Sequence, residues 1–140
     1  MPVGPGAPTA GGIPGFNTAY VLAHAGGGAT GATPLPGFLN IVTAITAADS
    51  VVLPPCWAGA SIMVINNGSV SVSVYAYAAA SGAADSMQAS NATTGAATTG
   101  QGLATGQTRL FVGMIPEGGN TVGGVGPSNG GIWKIVSIGG

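Results

Sequence analysis

The chain has 140 residues, of which only 4% are charged, and its formal net charge is −1. Typical soluble domains carry about 25% charged residues, so these few charges cannot coat a free surface in the usual way. One arginine and one lysine cannot build a phosphate-binding patch, which excludes nucleic acid as an expected partner. The charge deficit predicts instead that much of the surface lies against other protein.

Three further absences narrow the class of protein. The sequence has no run of 18 or more apolar residues, so we expect no membrane span. Residues 1–12 lack a basic stretch followed by a continuous apolar stretch, so we expect no secretory signal. A single cysteine, Cys56, cannot form an intrachain disulfide or a metal site. These features predict synthesis in a cytoplasm, without a metal or a cofactor.

Prolines dominate the start of the chain. Residues 1–17 contain Pro2, Pro5, Pro8 and Pro14. Proline fixes φ and lacks an amide donor, so neither a helix nor an inner strand is expected there. We predict an extended N-terminal arm over residues 1–17, followed by a single domain over residues 18–140. Ile13 and Phe16 are candidate anchors of the arm on a neighbouring surface, and a disordered tail is the alternative.

Short segments rich in β-branched residues follow the arm and predict about eight strands. In chain order they are 18–24, 38–46, 50–53, 61–66, 69–77, 86–89, 107–115 and 132–138. No segment shows a sustained helical apolar stripe. Short strands separated by Gly- and Pro-rich turns predict an all-β fold, namely an antiparallel β-sandwich or jelly roll.

The most regular alternation lies in the middle of the chain. Serines alternate with valines over residues 69–74, which is the period of a strand with one buried face. Asn66, Asn67 and Gly68 separate this run from an apolar run at 61–66. Asn-Gly between two strand-like runs is a strong hairpin signal, because both residues tolerate the positive φ of a tight turn. The sequence therefore predicts a β-hairpin with this tripeptide at its tip.

Residues 61–66 are apolar on both faces of the predicted strand. One face can enter the core, whereas the other needs a second partner such as another subunit. Two tyrosines share the serine face of the next strand, and exposed aromatic side chains suit an interface. Our interface candidates are Met63, Ile65, Tyr75 and Tyr77, together with Trp57, which stands beside two prolines.

Few residues could support catalysis. His24 is the only histidine and could act as a base towards Cys56 as nucleophile, but no third residue is evident that would orient the pair. A buried structural thiol is the preferred interpretation of Cys56. Asp49, Asp85 and Glu117 are isolated in sequence and lack the spacing of a calcium loop, so we interpret them as solvated loop carboxylates. The sequence therefore predicts that the protein is not an enzyme.

A family resemblance rests on residues that determine the fold. They are Val51, Leu53, Pro54, Gly59, Val64, Asn66, Gly68, Val70, Val72, Phe111 and Trp133. The pattern resembles small structural proteins of tailed bacteriophages, especially head decoration or cement proteins with jelly-roll folds, over about residues 50–137. The resemblance implies a homo-oligomer on the outer capsid surface that bridges subunits of the major capsid protein. It leaves residues 1–49 outside the pattern.

Three hypotheses follow. The leading one is a decoration protein of the virion, synthesised in the bacterial host cytoplasm, with a homotrimer slightly preferred to a homodimer. The alternative is a receptor- or glycan-binding β-sandwich domain of a tail fibre or spike, in which Trp57, Tyr75 or Tyr77 would contact the sugar. The third is a hydrolase that uses Cys56 and His24.

Overall fold

The computed structural model of the chain describes residues 17–26, 28–78, 85–89, 100–115 and 131–138. Over these residues the protein forms ten β-strands and no helix, which confirms the predicted all-β fold. The strands are β1 (Thr18–Leu22), β2 (Thr33–Pro34), β3 (Leu39–Thr43), β4 (Ser50–Val52), β5 (Ser61–Asn66), β6 (Val72–Tyr75), β7 (Ser86–Gln88), β8 (Gln101–Leu103), β9 (Thr108–Ile115) and β10 (Ile132–Ile138). No helix in this described part of the chain is long and apolar enough to cross a membrane.

The ten strands form two sheets. A six-stranded sheet has the order β1-β3-β5-β9-β10-β7, and a four-stranded sheet has the order β2-β4-β6-β8. From β1 to β6, odd-numbered strands belong to the larger sheet and even-numbered strands to the smaller one. The chain therefore changes sheet at each of these connections.

This alternation winds the first six strands into a two-sheet coil. β3 pairs in parallel with β1 and β5, and β4 pairs in parallel with β2 and β6. Thr18 is the partner of Leu39, and Leu39 is the partner of Met63, so successive turns use 21 and 24 residues. Parallel neighbours need a long crossover connection, and here each crossover contains a strand of the opposite sheet.

β8 and β9 extend the two sheets with reversed chain direction. β8 pairs antiparallel with β6, and β9 pairs antiparallel with β5. The turn that joins β8 to β9 contains Gly106, whose φ is +78°, a conformation that glycine adopts without a Cβ penalty. β10 then pairs antiparallel with β9 and parallel with the edge strand β7.

One apolar core lies between the two sheets. Fully buried valines come from both sheets, namely Val42, Val64, Val51, Val72 and Val74. The largest fully buried side chains are Trp133 of β10 and Phe111 of β9. The six-stranded sheet supplies both of these large side chains.

The predicted hairpin at residues 66–68 is wrong. β5 and β6 lie in different sheets and do not pair with each other. Neither Asn67 nor Gly68 adopts the positive φ that an Asn-Gly hairpin turn requires. Gly68 packs directly on the backbone of Ala44, where a Cβ would overlap the Ala44 amide and carbonyl. The glycine is therefore required for a close approach of two segments and not for a tight turn.

The side chain of Asn66 fixes this crossover. It is fully buried, and its Nδ2 donates hydrogen bonds of 2.8 Å to the carbonyls of Val70 and Leu103. Its Oδ1 accepts a hydrogen bond of 2.9 Å from the amide of Gly68. These bonds satisfy backbone groups that a change of sheet would otherwise leave buried and unpaired.

The sheets are mixed, whereas the sequence predicts antiparallel pairing. Five of the eight strand pairs are parallel. A jelly roll is built from antiparallel strands, so that topology is not confirmed. The count is ten strands because the sequence analysis missed β2 and β8. β2 has only two residues and contains Pro34, a residue that sheets accept at an edge such as this one.

Candidate functional site

The outer face of the six-stranded sheet is apolar across five neighbouring strands, and we name it the apolar face. On β1, Tyr20 and Leu22 point outwards, whereas Val21 between them is buried. The apolar face consists of Tyr20, Leu22, Leu39, Ile41, Met63, Ile65, Leu110, Val112 and Val136. Neighbouring strands are about 4.8 Å apart, so five strands give a face roughly 20 Å wide.

The strand register aligns these side chains in rows across the sheet. Tyr20 lies beside Ile41, and Ile41 lies beside Ile65. A second row consists of Leu39, Met63, Leu110 and Val136. Direct cross-strand neighbours have Cβ atoms on the order of 5 Å apart. Each row is therefore a continuous apolar strip.

The apolar face is most exposed at the β1 edge. Tyr20 is 83% exposed and Leu22 is 61% exposed. Of the charged residues that the structure describes, Lys134 alone lies on this face, and its Nζ donates a 3.1 Å hydrogen bond to Oε1 of Gln88. Contiguous exposed apolar patches of this kind mark interaction sites.

A second feature is an open cavity of about 300 Å³, which we name the Trp57 cavity. Aromatic and proline side chains line it, namely Trp57, Phe38, Pro36 and Pro54, and Asn17 and Ser61 add polar groups. Concave sites with apolar walls and a few polar groups are the usual form of ligand sites in proteins. The cavity is therefore the second candidate for binding.

The loop that carries Trp57 is tightly held. The Trp57 ring meets the ring of Trp133 edge to face, with centroids 6.1 Å apart and an interplanar angle of 73°. The carbonyl of Trp57 lies against Gly113, where an added Cβ would overlap it. Hydrogen bonds of 2.9 Å from Gly59 to Gly113 and 2.8 Å from Gly113 to Ala60 tie the loop to β9. Trp57 is 50% exposed. Its side chain therefore contacts solvent while its backbone is held in place by β9.

Another wall of the Trp57 cavity is fixed by Asn40 of β3, which is fully buried. Its Nδ2 donates hydrogen bonds of 2.8 Å to the carbonyl of Gly37 and 3.2 Å to that of Met63. Its Oδ1 accepts a 3.0 Å hydrogen bond from the amide of Gly37. The wall next to Phe38 is therefore held in place by the core, which gives a preformed site.

The predicted interface residues lie on different surfaces. Met63 and Ile65 belong to the apolar face, where both are half-buried among their neighbours. Trp57 lines the cavity that carries its name. Ile13 and Phe16 of the predicted arm lie outside the described residues, as does Glu117.

The two tyrosine candidates lie on the four-stranded side of the protein. Tyr75 is half-buried and packs against Gly100, where an added Cβ would come within 2.6 Å of the tyrosine ring. Tyr77 lines a separate cavity of about 290 Å³ together with Thr30 and Val52. The tyrosines therefore do not join Trp57 in one cavity.

The interpretation of Asp49 and Asp85 as solvated carboxylates is wrong, because each is only 1% exposed. Asp85 accepts hydrogen bonds of 2.8 Å from the amide of Cys56 and 2.7 Å from the amide of Gly131. Oδ2 of Asp49 accepts hydrogen bonds of 2.9 and 3.1 Å from the amides of residues 45–46. The Asp85 carboxylate therefore joins two distant backbone segments, and the Asp49 carboxylate fixes the turn that precedes it.

The two residues of the hydrolase hypothesis, Cys56 and His24, differ in burial. Cys56 is buried, as predicted, and its thiol donates a 3.4 Å hydrogen bond to the carbonyl of Ile132. His24 is exposed and lies over the loop at Gly31. Within the ranges that the structure describes, no three His, Cys, Asp or Glu side chains form a group that could hold a metal ion.

The most exposed part of the apolar face was not predicted from the sequence. Tyr20, Leu22 and Val136 were not among the interface candidates. In residues 18–24 both alternating sets contain apolar residues, so the pattern could not indicate which set faces the core. The register of β1 against β3 decides this, and that register is set by long-range pairing.

Comparisons of the chain with protein-family models, with curated proteins and with solved structures found no match. The resemblance to phage decoration proteins therefore stays a prediction.

Proposed function

We propose that this protein is a capsid decoration, or cement, protein that binds the outer surface of a phage head and bridges major capsid protein subunits. The apolar face carries the proposal. It is a broad exposed surface on which Lys134 is the single charged side chain among the described residues. A protein that acts by covering and bridging a shell needs such a surface and needs no catalytic group.

The apolar face can supply the required binding free energy. Burial of one side chain as large as leucine contributes about 1.5–3 kcal/mol. Association costs roughly 4–15 kcal/mol in lost translational and rotational freedom. The nine apolar side chains of the face can offset that cost without any charged contact. Binding of a homo-oligomer to a repeating capsid lattice strengthens the attachment further. After one subunit of the oligomer has bound, binding of the next subunit is effectively intramolecular.

The proposal includes self-association and a location. We propose a homotrimer in preference to a homodimer, synthesised in the bacterial host cytoplasm and incorporated into the virion. Its partners are the major capsid protein and other copies of this chain. Support for self-association comes from the low charge, since 4% charged residues leave most of the surface without strong hydration.

A receptor- or glycan-binding domain of a tail fibre or spike is the second candidate function, and the Trp57 cavity favours it. The half-exposed Trp57 ring lies beside the polar residues Asn17 and Ser61. An aromatic face with adjacent hydrogen-bonding groups suits an amphipathic ligand such as a sugar. Retention of oligosaccharides on an array by the native chain, with loss of retention in Trp57→Ala, would support this candidate.

A binding assay with capsids tests the leading proposal. Capsids of the virus that encodes this chain, purified without it, are mixed with the protein and sedimented. We expect saturable binding and a higher temperature of capsid rupture. The variant that combines Tyr20→Lys with Leu22→Lys places two charges on the apolar face, and we expect its affinity for capsids to fall at least tenfold.

The matched control is Ser71→Lys, which adds a charge at an exposed position outside the apolar face. We expect it to bind capsids like the native chain. Absence of saturable binding by the native chain would reject the capsid proposal. Equal binding by the Tyr20→Lys, Leu22→Lys variant would reject the apolar face as the contact surface.

A further inference from the structure

The lining of the Trp57 cavity indicates a particular class of ligand. Trp57 and Phe38 supply aromatic rings, and Pro36 and Pro54 supply two rigid rings beside them. Surfaces lined by aromatic side chains recognise proline-rich segments in the polyproline II conformation, whose preformed shape lowers the entropy cost of binding. Because Asn40 and Gly113 hold the cavity walls in place, the site is already shaped before a ligand arrives.

The chain itself contains a matching segment. Its arm prolines are Pro2, Pro5, Pro8 and Pro14, so each is separated from the next by three residues or a multiple of three. Polyproline II has three residues per turn. Prolines at this spacing would therefore lie along one edge of such a helix and could meet a single aromatic surface together.

We propose that the Trp57 cavity binds the segment from Pro2 to Pro8 of a second copy of this chain, in the polyproline II conformation. The described chain begins at Asn17, which itself lines the cavity. The carbonyl of Asn17 accepts hydrogen bonds of 3.1 Å from the amides of Phe38 and Leu39, which fixes the point where the arm joins the domain.

The length of the arm favours binding to the Trp57 cavity of a neighbouring copy over binding to the cavity of the same chain. At 3.1 Å per residue, a polyproline II segment from residue 2 to residue 14 spans about 40 Å. A cavity of about 300 Å³ accepts only a small part of that length. If residues 9–16 continue in the polyproline II conformation, Pro8 lies about 28 Å from Asn17, which favours the cavity of a neighbour over the chain's own cavity.

An arm that binds the next copy makes a head-to-tail contact. Such contacts generate closed rings when the rotation between copies closes, and open chains when it does not. The inference concerns contacts between copies and does not depend on binding to a shell. If the capsid assay fails, binding of the arm by the Trp57 cavity can still be correct. If the arm does not bind the cavity, the proposal of capsid binding is not affected.

The test uses a synthetic peptide with the sequence of residues 1–9. The receptor is the full chain carrying Pro2→Ala, Pro5→Ala and Pro8→Ala, so that its own arms do not compete. We expect saturable binding in a calorimetric titration. A peptide of the same composition, with the prolines moved off the three-residue spacing, should bind at least tenfold more weakly. Equal binding of the two peptides, or no saturable binding, would overturn the proposal.

Further substitutions in the same receptor locate the binding site. Trp57→Ala should weaken peptide binding at least tenfold, whereas Ile45→Ala, at an exposed apolar residue outside both the cavity and the apolar face, should leave it unchanged. If Trp57→Ala does not fold, Pro36→Glu places a charge at an exposed position in the cavity lining and should weaken binding in the same way. Unchanged affinity in the folded variants would overturn the assignment of the site.

Sedimentation analysis distinguishes a second copy from the protein's own arm. The native chain should show a mass that falls on dilution, and the variant with three arm alanines should remain a monomer at the same concentrations. A monomeric native chain that rejects the peptide, beside an alanine variant that binds it, would mean that each arm fills its own cavity. That result would overturn the assignment to a second copy.

Discussion

The carboxylate of Asp85 accepts a 2.8 Å hydrogen bond from the backbone amide of Cys56, which lies 29 residues earlier in the chain. Its other oxygen accepts a 2.7 Å hydrogen bond from Gly131, 46 residues later. One buried side chain therefore joins the loop before β5, the edge strand β7 and the start of β10. Because that loop also carries Trp57, the contact supports the Trp57 cavity.

Replacement of Asp85 by alanine should destabilise the protein strongly. Each hydrogen bond to a charged group contributes about 1.5–3 kcal/mol, and the substitution leaves two buried amides unpaired. We expect the free energy of unfolding in urea to fall by about 3–5 kcal/mol. Asp85→Asn, which keeps the shape and one acceptor, should lose roughly half as much. A loss below about 1 kcal/mol for Asp85→Ala would contradict the role assigned to this carboxylate.

Gly68→Ala tests the close approach that replaces the predicted hairpin. The added Cβ would overlap the backbone of Ala44, so the crossover could not keep its path. We expect a loss of more than about 3 kcal/mol, or failure to fold, measured by thermal and urea unfolding. The control is Gly102→Ala, where the Cβ would meet nothing within 4 Å and φ is not positive. That variant should be unchanged or stabilised by about 0.4–1 kcal/mol. Similar stabilities for the two variants would refute the packing at Gly68.

Asn66 and Asn67 are neighbouring asparagines, and we expect their replacement by alanine to change the stability of the protein by very different amounts. The side chain of Asn66 is fully buried with three hydrogen bonds, whereas Asn67 is exposed. Asn66→Ala should lower the free energy of unfolding by about 2–4 kcal/mol, because the partner groups stay buried without hydrogen bonds. Asn67→Ala should change it by less than about 0.5 kcal/mol. If the order of the two effects were reversed in urea unfolding, the crossover geometry would be wrong.

Three consecutive residues of β1 test which face of the sheet is the outer one. Val21 is buried, so Val21→Ala should cost about 2 kcal/mol of stability. Tyr20→Ser and Leu22→Ser remove exposed side chains and should each cost less than about 1 kcal/mol. The measurement is urea unfolding. A larger stability loss at Tyr20 than at Val21 would place the apolar face on the inside.

Local patterns located many of the strands well. Residues 61–66 and 132–138 form strands with the predicted boundaries, because alternation of side chains and β-branched content are properties of neighbouring residues. The burial of Cys56 was also predicted correctly. β2 was missed because its two residues are too few to show a period, and β8 because Gln101, Gly102 and Leu103 include no β-branched or aromatic residue.

The Asn-Gly pair shows where local patterns fail. The same residues that favour a tight turn also serve a crossover, in which Asn66 bonds to Leu103, 37 residues away, and Gly68 contacts Ala44. The buried carboxylate of Asp85 could not be predicted from local sequence either, because its hydrogen-bond partners also come from distant segments. No window of neighbouring residues contains these partners.

The all-β class, the scarcity of charge and the apolar character of both alternating sets in several strands can be predicted from the amino-acid sequence alone, because they depend on local composition and spacing. The choice of strand partners, the parallel direction of most pairs and the position of Tyr20 and Met63 on one outer face depend on the tertiary fold. Strand pairing is decided by contacts between segments 17 or more residues apart, because a strand can satisfy its backbone hydrogen bonds with any partner that also buries its apolar side chains.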